Sequence, residues 1–309
     1  MPVDPQIQAL LDLRAKLPPL HSLSVEDARL QMAARDIPGL RKPDVGSVVN
    51  RDMQGPSGSL PLRIYTPKGE GPFPLMVFFH GSGFVVCSLD THDGMCRNLC
   101  AGANCVVVSV DYRLAPEHKF PAAPDDCLAA TQWVAGNASM LRGDASRIMV
   151  AGDSAGGNLA AVVALRARDE GGPKLIGQML IYPVTDYFQP GTPSMTENAE
   201  GYGLTRDGMI WFWNHYVRSP GDGVHPHASP LRAATLAGLP PALVATAQYD
   251  PLRDEGESYA KAMRDVGVPV EMKRWDGMNH GFFFFPGIVD KATQATDEAC
   301  SWARRVFGN

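Results

Sequence analysis

Arg147-Ile148-Met149-Val150-Ala151-Gly152-Asp153-Ser154-Ala155-Gly156-Gly157-Asn158 is the stretch whose reading decides the fold of this chain. Residues 148–151 form a short apolar run of the kind a parallel strand buried on both faces requires. Residues 159–167 are rich in Ala, Leu and Val and hold no Gly or Pro, which predicts a helix. Between them stands Gly152-x-Ser154-x-Gly156. A serine hydroxyl attacks only when it is held proud of the sheet, where a base can reach it. That demands a tight, strained turn, with small flanking residues keeping strand and helix from colliding. The helix start also points free backbone N–H groups at any oxyanion that develops. A Gly/Ser-rich loop that binds a phosphate, or merely turns, has the same composition, so partners elsewhere in the chain must decide.

Outward from this stretch, apolar runs at 73–79, 105–110, 178–182, 243–246 and 270–275 predict further strands. Helical patterns at 91–101, 124–134, 254–266 and 290–307 alternate with them. Such alternation predicts a mostly parallel sheet with helices on both faces. Residues 45–53 and 60–65 flank the turn-rich Gln54-Gly55-Pro56-Ser57-Gly58 and predict an antiparallel hairpin at one sheet edge. Two segments break the pattern. In residues 1–40, Ile7, Leu10, Leu11 and Leu17 mark a helical stripe halted by Pro18-Pro19, and a second helix over 25–34 is expected with Ser24 or Ser22 as its cap. Residues 187–220 are too long and too aromatic for a connection and are expected to form a helical insert over the site. Exposed Trp211, Phe212 and Trp213 would be a sticky patch, so they are expected to bury against Leu10, Leu11 and Leu17.

The 309 residues suffice for one large α/β domain with an accessory element. A net charge of −5, with no basic stripe interleaved with aromatics, argues against nucleic acid as a partner. Residues 1–20 lack a basic region followed by an apolar core, and no apolar run approaches the roughly 20 residues of a membrane span. The six cysteines follow no disulfide-scaffold spacing, so reduced thiols and a cytoplasmic location are expected. His92, Cys96 and Cys100 fall on one helical face, but two small core residues and a first-turn histidine account for them better than a metal does. No metal is predicted.

The partners of Ser154 follow it in the order acid, then histidine. The strand at 243–246 runs into Gln248-Tyr249-Asp250-Pro251-Leu252, where the Asp250 carboxylate could orient an imidazole. Asp254, at or just inside the next helix, and Asp276, on a turn just before the histidine, are rivals. The strand at 270–275 runs into Asp276-Gly277-Met278-Asn279-His280-Gly281-Phe282, whose glycines allow His280 to approach Ser154. His80-Gly81-Ser82-Gly83 follows a strand as well. Its glycines let backbone N–H groups reach a substrate oxygen, and the Ala155 N–H after the serine can join them. By itself that loop could equally be a plain turn. The remaining histidines lack comparable placement.

Together these residues resemble the hormone-sensitive-lipase-like family of bacterial esterases, which have the α/β-hydrolase fold. The resemblance covers nearly the whole chain. It rests on His80-Gly81-Ser82-Gly83-Phe84, Asp111-Tyr112-Arg113-Leu114-Ala115-Pro116-Glu117, Phe120-Pro121-Ala122, the Gly152–Asn158 stretch quoted first, Asp250-Pro251-Leu252-Arg253-Asp254 and His280-Gly281-Phe282. It implies Ser154 as nucleophile, His280 as base and Asp250 as orienting acid, with oxyanion donors at Ser82, Gly83 and Ala155. His80 and Gly81 would brace the loop. It implies a single α/β-hydrolase domain over 1–309, with a helical cap from about 1–44 and 187–220 and a catalytic core over 45–186 and 221–309. Phe84, Tyr187, Trp213 and Phe282 are expected to line an apolar pocket for short- to medium-chain carboxylic esters. No cofactor is implied, the partner is a small-molecule ester, and a homodimer through a sheet edge is expected. The family usually has a glycine where this chain has Ser82, and a side chain there could narrow the acyl or alcohol pocket. Lactones, amides or acetylated small molecules would use the same machinery. A plant hormone receptor that binds without hydrolysis shares the scaffold but lacks the histidine that His280 supplies here.

Overall fold

In the computed structural model, which describes residues 1–34 and 38–309, the strands are β1 (Ser47–Gly55), β2 (Gly58–Thr66), β3 (Phe73–Phe79), β4 (Val106–Val110), β5 (Gly143–Asp153), β6 (Leu175–Ile181), β7 (Ala242–Tyr249) and β8 (Val270–Asn279). They form one sheet in the order β1-β2-β4-β3-β5-β6-β7-β8. The expected hairpin of β1 and β2 occupies one edge, and β2 also runs antiparallel to β4. All other pairings are parallel.

The helices are α1 (Pro5–Arg14), α2 (Val25–Ala33), α3 (Asp93–Ala103), α4 (Ala122–Gly136), α5 (Ala155–Asp169), α6 (Pro193–Glu197), α7 (Arg206–Tyr216), α8 (Pro220–Gly223), α9 (Arg253–Asp265) and α10 (Asp290–Phe307). Strand β3 shows why the central runs are apolar without alternation. Leu75, Val77 and Phe79 enter one core, shared with α4, α5 and α9, whereas Met76 and Phe78 enter the other, shared with α3 and α10. A strand covered on both faces has no position left for a polar side chain, and every residue of β3 is buried.

The segments that break the alternation fold as helices. Asp4 caps α1 by accepting the Gln6 N–H at 3.0 Å, and Ser24, rather than Ser22, caps α2 by accepting the Asp27 N–H at 3.1 Å. The insert carries α6, α7 and α8. Its aromatics do not pack as expected, however. Phe212 and Trp213 bury in the first core beside Phe84 and Tyr187, whereas Ile7 and Leu11 bury in the second beside Trp275 and Met278. Leu17 stays about half exposed. The cause is the anchoring of α1. Asp4 N–H donates to the Gly277 carbonyl at 3.0 Å and Asp290 N–H donates to Gln6 Oε1 at 2.9 Å, which seats α1 over the end of β8.

The crossing of α5 over the sheet leaves no room at Gly156. A Cβ there would lie 1.9 Å from the Phe79 carbonyl oxygen at the end of β3, and a backbone oxygen cannot swing aside. We expect Gly156→Ala to lower unfolding stability by about 3 kcal/mol or more, a large share of what a domain has. Urea unfolding followed by tryptophan fluorescence checks this, and an unchanged midpoint would show that the helix can shift freely on the sheet.

Candidate active site

At the end of β5 the backbone turns sharply through Ser154, which sits at φ 56° and ψ −120°. A non-glycine residue is held at positive φ only where its surroundings over-determine it. Here Ser154 N–H donates to the Ile181 carbonyl at 2.8 Å, and the Ser154 carbonyl accepts from Val184 N–H at 3.2 Å and Asn158 N–H at 3.0 Å. A serine preceding a helix ordinarily caps it with its own hydroxyl. Ser154 makes no such bond. Its Oγ lies instead 2.9 Å from His280 Nε2, and His280 Nδ1 lies 2.7 Å from Asp250 Oδ2.

Asp250 follows β7 and is fully buried, with its other oxygen accepting the Leu252 N–H at 2.8 Å. A carboxylate can only accept, so Nδ1 carries the proton and Nε2 is left to accept from the serine. The rival carboxylates are engaged elsewhere. Asp254 accepts the Ser194 N–H at 2.8 Å and pairs with Arg253, while the Asp276 side chain is exposed. Tyr182, itself at φ 35°, packs its ring 4.5 Å from the imidazole.

The loop after β3 closes the other side. Gly81 N–H donates to Asp153 Oδ1 at 2.8 Å, tying this loop to the serine turn, and His92 Nε2 stands 3.2 Å from the same oxygen. His92 is buried at the N-cap of α3, with its ring facing this carboxylate. It backs the carboxylate that fastens the loop. His80 is buried and stacked 4.4 Å from Tyr112, and burial, with His92 beside it, lowers its pKa to about 3. It stays neutral and its ring is committed to packing. Among the described residues, the N–H groups of Ser82 and Gly83 have no protein acceptor. Gly83 has φ 53° and a Cβ there would meet the Phe212 ring at 2.3 Å, so both conformation and contact require glycine. Phe84 stacks on Tyr216 with centroids 3.7 Å apart.

A cavity of about 600 Å³ opens onto Ser154 and His280. Phe84 and Trp213 line it, together with Leu20, Leu204, Met209 and Phe212. Tyr187 and Phe282 do not. Phe282 is wholly buried against Trp275 and Tyr182, because the tight turn Phe282–Phe284 sends successive rings in different directions, and it is Phe283, Phe284 and Phe285 that reach the cavity. Tyr187 is wedged between Trp213 and Gly223. Nor does the Ser82 hydroxyl narrow the cavity, since it turns inward onto Tyr112. Sequence reasoning gave no role to Asp153, Tyr182 or Glu255, and read His92 only as a first-turn histidine. Glu255 is buried and accepts the Thr185 N–H at 2.7 Å, fastening the loop behind Ser154 to α9. Of these only Asp153, fixed between Gly152 and Ser154, stood in a position that could have drawn attention.

A family model described as the alpha/beta hydrolase fold matches residues 76–284. The chain is 44% identical to the esterase LipI of Mycobacterium tuberculosis, over 92% of this chain and 91% of that protein. It is 35% identical to an ethyl acetate hydrolase of Pseudomonas putida, over 95% and 96% of the two chains. A solved hyperthermophilic esterase from Pyrobaculum calidifontis superposes with a TM-score of 0.92 at 41% identity, covering 99% of each chain.

The geometry singles out one carboxylate. We expect Asp250→Asn to slow covalent labelling of Ser154 by a p-nitrophenyl phosphonate by about 10³-fold or more, because the amide would favour the wrong imidazole tautomer. Asp254→Asn and Asp276→Asn should stay within a few-fold of the parent protein. Nitrophenolate release under single-turnover conditions measures all three, and a larger loss in either rival would reassign the acid.

Proposed function

Because this chain belongs to the α/β-hydrolase family, in its hormone-sensitive-lipase-like branch, we propose that it is a serine carboxylesterase whose reaction runs through Ser154, His280 and Asp250. The single observation that carries this reading is the unbroken relay from Ser154 Oγ through the imidazole to the buried Asp250. Ser154 Oγ attacks the ester carbonyl carbon while its proton passes to His280 Nε2. Asp250 stabilises the imidazolium that forms, at a distance where a charge-assisted bond is strong. The negative oxygen of the tetrahedral intermediate is held by the N–H groups of Ser82, Gly83 and Ala155, preset before reaction and therefore needing no reorganisation. His280 returns its proton to the leaving alcohol, then takes one from the water that attacks the acyl-enzyme, and hands it to Ser154 Oγ as the acid is freed. His280 touching Ser154 weighs against a non-hydrolysing receptor.

The cap in this reading comprises residues 1–44 and 187–220. Its support is that Leu10, Leu17 and Leu20 from the first segment and Leu204, Met209 and Trp213 from the second line the same cavity. Apolar walls of this kind suit short to medium chains. No helix among the described residues is long and apolar enough to cross a membrane. The free thiols of Cys96, Cys100, Cys105, Cys127 and Cys300, all buried, favour a reducing, cytoplasmic setting. The free edges at β1 and β8 supply what a sheet-edge homodimer would need.

Ser154→Ala should leave the fold intact and cost on the order of 10⁴ to 10⁶ in kcat on p-nitrophenyl esters. Leu204→Trp should fill part of the cavity and depress kcat/KM for longer chains more than for acetate. Each methylene that loses its wall forfeits up to about 0.8 kcal/mol. Assays on esters graded in acyl length, beside lactones and aryl amides, test both expectations. Turnover surviving in well-folded Ser154→Ala would dismiss the site, and an unchanged chain-length profile in Leu204→Trp would dismiss the pocket.

A further inference from the structure

The loop that would hold the oxyanion is crossed by a chain of hydrogen bonds. Phe84 N–H donates to Ser82 Oγ at 2.7 Å, Ser82 Oγ lies 2.6 Å from the Tyr112 hydroxyl, and that hydroxyl donates to the His80 carbonyl at 2.6 Å. The two ends fix the direction. A backbone N–H can only donate and a carbonyl can only accept, so the Ser82 O–H points to Tyr112 and the Tyr112 O–H points to His80. Each hydroxyl thus accepts one bond and donates one, and each donation strengthens the next in a buried, low-dielectric setting. Phe84, Ser82, Tyr112 and His80 are all buried. Burial also holds the Tyr112 phenol well above its usual pKa, so it remains a donor at any working pH.

Resting on the esterase reading above, we propose that Ser82 is a positioning residue whose hydroxyl, through Tyr112, ties residue 84 back to residue 80 and fixes the backbone of residues 82 and 83, the loop positions whose N–H groups hold the oxyanion. The loop needs such a tie. Gly83 and Phe84 both sit at positive φ, 53° and 65°, which is unfavourable for the phenylalanine. From outside, α7 presses Phe212 onto Gly83 and Tyr216 onto Phe84. From inside, the Ser82–Tyr112 link resists that pressure. A glycine at position 82 would leave Phe84 N–H without this acceptor and Tyr112 bonded to His80 alone. The serine that departs from the family's glycine is therefore a second fastening of the loop, beside the one Asp153 makes to Gly81.

The test compares Ser82→Ala, Tyr112→Phe and the double variant, with Ser82→Gly as a version that removes the hydroxyl and adds no Cβ strain. We expect kcat on p-nitrophenyl butyrate to fall about tenfold in each single variant, with KM changed by less than about twofold, since displaced donors weaken transition-state more than ground-state binding. Affinity for a trifluoromethyl ketone, which places an oxyanion in the hole, should fall in step with kcat, while affinity for butyrate stays put. The double variant should lose little more than either single one, because both break the same chain. Full kcat and full ketone affinity in folded Ser82→Ala and Ser82→Gly would overturn the proposal, as would strictly additive losses or losses confined to KM. Ser154→Ala assayed alongside separates the two levels. If it is inactive while the Ser82 variants are unimpaired, only the positioning role falls; if it stays active, the esterase site falls and the positioning role with it.

Discussion

Everything at the site follows from the backbone of one residue. Ser154 is held at positive φ by its N–H bond to Ile181 and its carbonyl bond to Val184, so the turn belongs to β5 and to the end of β6 at once. That conformation denies the serine its usual capping bond and aims its hydroxyl at His280 instead. The strain is small against the stability of a domain, but it must be opposed locally. The glycines at 152 and 156 allow the opposing elements to come close enough. A Cβ on either would strike a backbone atom at under 2.5 Å.

The functional groups arrive on the ends of parallel strands. Strand β3 delivers the loop at 80–84, β5 the serine, β7 the carboxylate and β8 the histidine, and their common direction gathers these ends at one edge. Between the loop and the serine turn runs the Asp153 carboxylate, bonded to Gly81 N–H and faced by His92. On the outer side, α7 lays Phe212 against Gly83 and Tyr216 against Phe84. Helix α7 is thus part of the wall that shapes the loop, and it also lines the cavity through Met209, Phe212 and Trp213.

The sheet was legible because buried parallel strands permit almost nothing but apolar residues, as β3 illustrates, and because the hairpin turn around Pro56-Ser57 has few alternatives. Strand ends were not. Strand β5 begins at Gly143, well before the apolar run starts, because Gly143 pairs with Phe73 and the polar residues 144–147 then bulge out of register until pairing resumes between Ile148 and Leu75. Ser154, Asp250 and His280 could be picked out from order and loop position. Asp153 was marked only by its place beside Ser154, and the roles of His92 and Tyr182 left no mark, since each acts through a contact with a residue distant in sequence. The placing of α1 failed for a related reason. An apolar stripe says that a helix docks but not on what, and the bonds that tie Asp4 to Gly277 of β8 and Gln6 to Asp290 of α10 leave no periodic trace. Tyr187 and Phe282 show the same limit, since aromatic residues near a site look alike in sequence whether they wall a pocket or fill the core beneath it.

The seating of α1 carries a temporal consequence. Gln6 and Asp290, bonded at 2.9 Å, stand 284 residues apart in the chain. Closing so long a loop adds little to its entropic cost, because that cost grows only with the logarithm of length. It does dictate an order of events. Ile7 has no core to enter until β8 and α10 exist, so during synthesis α1 waits undocked while the sheet is laid down ahead of its partner. A nascent chain halted before β8 would hold the serine turn with neither its imidazole nor one wall of its cavity. Ser154 therefore has no imidazole beside it until β8 and the residue that follows it, His280, have joined the sheet.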